Sequence, residues 1–236
     1  MKYLPFHKMH AQGNDFVILD GLHTNLPPLD EVLLVQLADR RLGLGCDQIL
    51  VLMPDAECDA AMRIFNNDGS EAGNCGNGLR CVGALLMQDS GKDKVLIRLP
   101  DRTIRVESGS SGIRVHMGAA RITGYSEAHV DVDLGNLHRV FFEAIEEFPH
   151  DRNLEIISGQ IADDVYVDII ERGVGRTPSC GSGACATAAA IWHQDGHTRA
   201  QHIHMPGGMV NVAGSPDDIC LEGPVSFVGR GEFQLP

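Results

Sequence analysis

Cys75 and Cys180 each stand directly before a glycine-rich turn, NCGNG at 74–78 and CGSG at 180–183, and an apolar, helix-like run follows both. Glycines let the backbone bend tightly and approach a ligand closely. The first turn of a helix leaves backbone N–H groups without intrahelical partners and carries a partial positive charge. Such a turn can hold a carboxylate, and it is expected to lower a cysteine's pKa so that thiolate is accessible near neutrality. Two thiols on opposite faces of one carbon are what stereoinversion by proton transfer requires. A thiolate removes the Cα hydrogen from one face, and a thiol delivers a proton to the other. Taken alone, a CGxG turn is an ordinary helix start. Zinc is not expected, because the nearest thiol pairs, Cys75/Cys81 and Cys180/Cys185, lack the CxxC spacing of structural sites.

The surroundings of the two cysteines repeat in the same order. Nine residues upstream lie Asn66 in RIFNNDG and Glu171 in DIIERGVG, each ending a strand-like run. Downstream, LIRLPDRTIRV (96–106) matches HIHMPGGMVNV (202–212), and IRVHMGAARI (113–122) matches ICLEGPVSFV (219–228). Far upstream, QGNDFVIL (12–19) echoes LGNLHRVF (134–141). Five matched features point to a duplicated unit of ordinary domain size. The expected lobes are 1–118, carrying Cys75, and 119–226, carrying Cys180, with the last strand, about 227–236, able to join the first lobe. They are expected to pack tightly, with the site in a cleft between them.

The elements follow from residue patterns. VLIRLP, TIRVES, IRVHMG, HVDVDLG and DVYVDII carry the β-rich or alternating composition of strands. LDEVLLVQLADRRL (29–42) has helical spacing and belongs to the first lobe only. GACATAAAIW, after Cys180, is small and apolar on nearly every face, as in a helix buried all round. The expected fold class is α+β: in each of two pseudo-symmetric lobes, a mostly antiparallel or mixed sheet wraps around a central helix.

The bulk numbers bound the partners. A chain of 236 residues with a net charge of −13 lacks the basic face that nucleic acid or an anionic membrane demands. No apolar run reaches the roughly 20 residues of a membrane span, and MKYLPFHKMH does not resemble a signal peptide. A cytoplasmic location is expected. Seven cysteines, an odd number without an export signal, argue against a disulfide framework. Cys46, Cys81 and Cys185 read as small core residues, Cys58 and Cys220 as incidental. His202 and His204 share one face of a strand, most simply at the surface.

Together the stretches KMHAQGNDFVILD, RRLGLGCDQ, RIFNNDGSEAGNCGNGLRC, GNLH, ERGVGRTPSCGSGACA and MPGG closely resemble diaminopimelate epimerase, a cofactor-independent family of lysine and peptidoglycan-precursor synthesis. The resemblance runs from the first residues to near the end. It implies two similar lobes, each a sheet around a central helix, and Cys75 and Cys180 as paired acid and base. His138 and Glu171 match residues that assist at the reacting centre. Asn14, Gln48, Asn66, Asn136, Asn153 and Arg172 match substrate ligands. The backbones of Gly76–Asn77 and Gly181–Ser182 match the cradles of the reacting α-carboxylate. The implied substrate is the small molecule diaminopimelate, with no cofactor and no metal, and the family is commonly homodimeric.

The chemistry of these residues agrees. A substrate with a second amino acid end needs neutral polar groups and one cation for its distal carboxylate, which Asn66, Asn136, Asn153 and Arg172 supply. Glu171 suits the reacting ammonium, and His138 the carboxylate or a thiol. No lysine stands out as a pyridoxal anchor. Each residue also has a plainer reading: Asn at strand ends makes turns, His138 inside LHRVFF can be a core histidine, and Glu171–Arg172 can be a solvated pair. Departures from the family pattern are Ala11 and Leu137, where glycine and proline are usual, Arg176 in place of glutamate, and a second lobe shortened before Asn153. Other readings are a two-cysteine racemase of another amino acid such as histidine, and a non-catalytic amino-acid-binding or thiol redox-sensing protein.

Overall fold

FVILD and QILVLM are apolar on both faces, which suits a strand only if both faces are covered. The computed structural model, which describes residues 3–146 and 148–235, covers them with two helices. Unit 1 comprises Met1–Ala11, Asp15–Ser108 and Val225–Pro236. It contains β1 (Tyr3–Ala11), β2 (Asn14–Asp20), α1 (Glu31–Ala38), β3 (Gln48–Met53), β4 (Ala60–Asn66), β5 (Glu71–Ala72), α2 (Gly76–Ser90), β6 (Lys94–Arg98) and β7 (Thr103–Ser108). Unit 2 comprises Gln12–Asn14 and Gly109–Pro224. It contains β8 (Ile113–Gly118), β9 (Arg121–Tyr125), β10 (His129–Asp133), β11 (Leu137–Phe141), β12 (Asn153–Ile161), β13 (Asp164–Glu171), β14 (Gly175–Thr177), α3 (Gly181–Asp195), β15 (Gln201–Met205), β16 (Gly208–Ser215) and β17 (Asp218–Gly223). The final strand, β18 (Ser226–Gln234), lies in unit 1.

The two units run through the same pairings. In unit 1, β18 pairs with β1, β1 with β2, β2 in parallel with β3, and β3 antiparallel with β4; β4 then pairs with β5 and, in parallel, with β6, which pairs with β7. In unit 2, β9 pairs with β10, β10 with β11, β11 in parallel with β12, and β12 antiparallel with β13; β13 then pairs with β14 and, in parallel, with β15, which pairs with β16. Unit 2 extends further through β17 to β8. That last pairing moves the division to Ser108/Gly109, ahead of the Gly118 that the sequence repeat suggests.

Both central helices begin after a cysteine, run for 15 residues and stop at a left-handed glycine, Gly91 (φ 69°) or Gly196 (φ 73°). Such a glycine ends a helix without the Cβ penalty other residues meet there. Helix α3 packs on strands β9–β12 and β15–β17, so every side chain from Gly181 to Trp192 is buried. That explains its alanine-rich sequence: a ring of strands leaves room only for small side chains. Helix α2 packs on β1, β6 and β7. Helix α1 covers the opposite face of β3, where Leu34, Leu37 and Ala38 join Ile49 and Val51. It is shorter than the 29–42 pattern suggests. Asp39 turns extended at ψ 124° and its carboxylate accepts from Arg41 and Leu42 N–H, while Gly43 packs against the Gln36 carbonyl.

Among the described residues no helix is long and apolar enough to cross a membrane. Cys46, Cys81 and Cys185 are core residues.

Gly83 shows how closely α2 approaches β7. A Cβ added there would lie 2.3 Å from Val106 Cγ1 and 3.0 Å from Val106 Cβ, on a stiff side chain. In a helix interior alanine is favoured over glycine by roughly 0.5–1 kcal/mol, but overpacking costs about 1–3 kcal/mol. Gly83→Ala is therefore expected to lower stability by about 1–2 kcal/mol, read as a lower urea midpoint; a raised midpoint would contradict this packing.

Candidate active site

Each cysteine caps its helix with sulfur. Cys75 has extended backbone (φ −154°, ψ 99°), and its Sγ accepts the N–H of Gly78 at 3.3 Å while its carbonyl accepts from Leu79 at 2.9 Å. Cys180 repeats this with φ −135° and ψ 118°, Sγ accepting from Gly183 at 3.4 Å and the carbonyl from Ala184 at 3.0 Å. The sulfur thus takes the third N–H of the turn, and the peptides ahead of it, Gly76–Asn77 and Gly181–Ser182, lie at the positive end of the helix.

In unit 1, Gln48 and Asn66 face each other across β3 and β4, and Gln48 Nε2 donates to Asn66 Oδ1 at 2.9 Å. Asn66 Nδ2 donates in turn to Ser70 Oγ at 3.0 Å. Asn77 is buried, and its Oδ1 accepts from the guanidinium of the fully buried Arg80 at 2.5 Å. Arg80 was not among the residues singled out from sequence; its signal is an arginine placed inside the apolar run that follows Cys75.

Unit 2 gathers more polar groups around its cysteine. Cys180 Sγ lies 3.4 Å from Ser182 Oγ, and Asn136 Nδ2 donates to that same hydroxyl at 3.2 Å. Glu171, at the end of β13, lies close to Thr177 and Cys180. Asn153 stands beside His138 in the β11–β12 register, and its Oδ1 accepts the backbone N–H of the exposed Arg172 at 2.9 Å. His138 is fully buried, with Nδ1 2.8 Å from Oε1 of the equally buried Glu155. Glu155 is the second residue the sequence reading missed, although a carboxylate amid the apolar residues of NLEII is itself a signal.

Asn14 comes to unit 2 through the turn Gln12–Asn14. Gly13, at φ 84°, packs on Pro178, and Gln12 Nε2 donates to the Pro224 carbonyl at 3.1 Å. Gly207 of the MPGG turn donates to the Pro178 carbonyl at 2.7 Å; a Cβ there would lie 1.9 Å from the Gln12 carbonyl oxygen. The motif is thus the seat of the turn bearing Asn14. Of the residues that depart from the resemblance, Arg176 pairs with Asp168 at 3.4 Å, and Leu137 is exposed at the start of β11. Burial is the largest influence on Glu171, whereas Arg172 beside it is exposed.

The expected thiolate is not what unit 2 builds. Burial first, then the Glu171 and Glu155 carboxylates, push the Cys180 thiol well above its ordinary value. A helix end contributes about 0.3–1 kcal/mol, rising to roughly 2 in the best buried geometries. Full burial shifts a pKa by as much as about 3–5 units, so burial wins. Burial also raises the Glu171 carboxyl, against the lowering influence of the nearby Thr177 and Cys180.

Away from these residues, a cavity of about 580 Å³ in unit 1, lined by residues such as His23, Thr24, Arg63 and Phe65, contains none of them. Among the described residues, one group could hold a metal ion: His116, Asp218 and Cys220 on β8 and β17. His202 and His204 both lie against Asp164, at 3.3 and 2.7 Å.

The family model described as diaminopimelate epimerase matches residues 6–123 and 130–228. A diaminopimelate epimerase from Erythrobacter litoralis is 35% identical over 97% of this chain and 96% of its own length. One from Xanthomonas campestris is 36% identical over 98% and 96%. Among solved structures, a predicted epimerase from Pseudomonas aeruginosa superposes with a TM-score of 0.75 at 14% identity, covering 99% of this chain and 100% of that one. A hydroxyproline epimerase from Agrobacterium vitis gives 0.68 at 12% identity, covering 98% and 92%. These two share the fold.

If the Glu171 charge helps keep Cys180 protonated, Glu171→Gln lowers the Cys180 pKa and speeds its alkylation by iodoacetamide at neutral pH. Peptide mass spectrometry of Cys180 across a pH series reads this directly. A rate profile unchanged or moved to higher pH would contradict it.

Proposed function

The chain belongs to the diaminopimelate epimerase family, and from that premise we infer that it interconverts LL- and meso-2,6-diaminopimelate by passing a proton across one Cα between the thiols of Cys75 and Cys180. The observation that carries this mechanism is the shared construction of the two cysteines. Each is an extended N-cap whose sulfur accepts from the third residue of a 15-residue helix. One duplicated device, used twice, matches a reaction that needs the same group on both faces of a carbon.

In this reading one sulfur, as thiolate, removes the Cα hydrogen, and the other, as thiol, returns a proton from the opposite side. The roles exchange in the reverse direction. Cys180, held above its ordinary pKa, enters as the proton-bearing partner. The peptides Gly76–Asn77 and Gly181–Ser182 receive the α-carboxylate, where N–H donors meet the charge that builds as the proton leaves. Glu171 takes the reacting ammonium, and His138 supports the same end. Asn14, Gln48, Asn66, Asn136 and Asn153 orient the substrate, and Arg172 binds its distal carboxylate through a planar fork suited to two parallel hydrogen bonds.

The reaction needs no cofactor in this reading; the exclusion of water and the fixed dipoles of two helix starts supply what an electron sink otherwise would. The enzyme works in the cytoplasm, where thiols stay reduced, and as a homodimer, the assembly common in the family.

The test is turnover of LL-diaminopimelate in deuterium oxide. Wild-type protein is expected to place deuterium at Cα and to act on diaminopimelate in preference to histidine or glutamate. Cys75→Ala and Cys180→Ala are each expected to lose at least about 100-fold in inversion rate while keeping the wild-type circular dichroism spectrum. Full inversion by either variant would refute the two-thiol mechanism.

A further inference from the structure

Glu155 is out of place in a core strand. It lies in β12 between the buried Leu154 and Ile156, opposite Val140 of β11 and Ile169 of β13, and is 0% exposed. A carboxylate held there without compensation costs several kcal/mol. Its compensation is His138, two residues before Val140 on the same face of β11, with Nδ1 2.8 Å from Oε1. An ionised carboxylate only accepts hydrogen bonds; facing a neutral imidazole it takes the Nδ1–H and leaves Nε2 its lone pair. Within the protein, His138 Nε2 and Glu155 Oε2 are both buried without a hydrogen-bond partner. Buried polar atoms are normally satisfied, so a bare imidazole acceptor points to a group that arrives from outside.

The pair also touches the reacting machinery. A Cβ on Gly183 would lie 2.5 Å from Glu155 Oε1, so the carboxylate rests against the first turn of α3, on the residue whose N–H caps the Cys180 sulfur. Glu171, close to Cys180, also feels the charge of Glu155.

We propose that Glu155 is a positioning residue for proton transfer: it fixes His138 as the Nδ1–H tautomer, so that Nε2 stands as a buried acceptor for the α-ammonium of the bound amino acid. This rests on the two-thiol reading above. The arrangement has the logic of a carboxylate that orients a catalytic histidine, in which exchanging acid for amide keeps the shape but selects the wrong tautomer. A purely architectural pair would behave differently, because removing one buried charge acts on stability rather than on turnover by folded enzyme.

The variant to measure is Glu155→Gln, whose amide can donate to Nδ1 and so move the ring proton to Nε2. In protein labelled with ¹⁵N-histidine, the His138 resonances, identified by their loss in His138→Gln, are expected to show a protonated Nδ1 and a bare Nε2 in the wild type, and the reverse in Glu155→Gln. The kcat for inversion is expected to fall about 10–100-fold, the usual effect of losing a partner that orients a histidine, and KM to rise with it, because an Nε2–H no longer accepts from the bound ammonium. Glu155→Asp, which keeps the charge but withdraws it by one methylene, serves if the glutamine variant does not fold, and is expected to show the same loss of kcat. A protonated Nε2 in the wild type, or a folded variant with wild-type kcat, would overturn the proposal. If the wild type itself places no deuterium at Cα, the two-thiol reading fails and this one with it; wild-type exchange together with an unaffected Glu155 variant refutes the role of Glu155 alone.

Discussion

An α-helix cannot satisfy the N–H groups of its own first turn, and the functional architecture of this protein grows from that deficit. At both helix starts a cysteine sulfur takes one of those donors. This places a sulfur atom beside peptides whose dipoles favour a carboxylate. Glycine at the first and third positions of each helix is the sequence consequence. At Gly78 a Cβ would press on Leu50, and at Gly183 on Glu155, so neither turn has room for a larger residue. The rest of each unit brings strands to that turn: β3 and β4 deliver Gln48 and Asn66, while β11, β12 and β13 deliver His138, Asn153 and Glu171.

The enclosure of α3 by strands works against a thiolate at Cys180. Wrapping α3 in strands buries Cys180 together with His138, Glu155 and Ser182, and desolvation outweighs the helix end. Two effects of opposite sign thus meet at Cys180, and desolvation is the larger. Proton transfer without an electron sink depends on this kind of arrangement, in which charge is expensive at rest and is stabilised by fixed donors as it forms.

Much of this was legible in the residues. The repeat around Cys75 and Cys180, read from five short matches, corresponds to two sets of strand pairings that run in the same order, and the alanine-rich stretch after Cys180 is the fully buried helix its composition suggests. What escaped depends on tertiary placement. Helix α1 stops at Ala38 although its pattern continues, because Asp39 caps the turn locally. The pairing of β8 with β17 moves the division between the units, and no local pattern reveals a partner more than 100 residues away. Burial decides the direction of the Cys180 shift, and a motif does not report burial. Glu155 and Arg80 were visible as charges within apolar runs, but only packing shows that they face inward.

The central claim is that both sulfurs address one carbon atom. A crystal structure of the Cys75→Ser/Cys180→Ser protein with meso-diaminopimelate bound tests it most directly. The account predicts the two serine hydroxyls on opposite faces of the reacting Cα, each about 3–3.5 Å from it, with the α-carboxylate at both helix starts. A ligand held at one helix start, with the other hydroxyl out of reach of the same carbon, would contradict it.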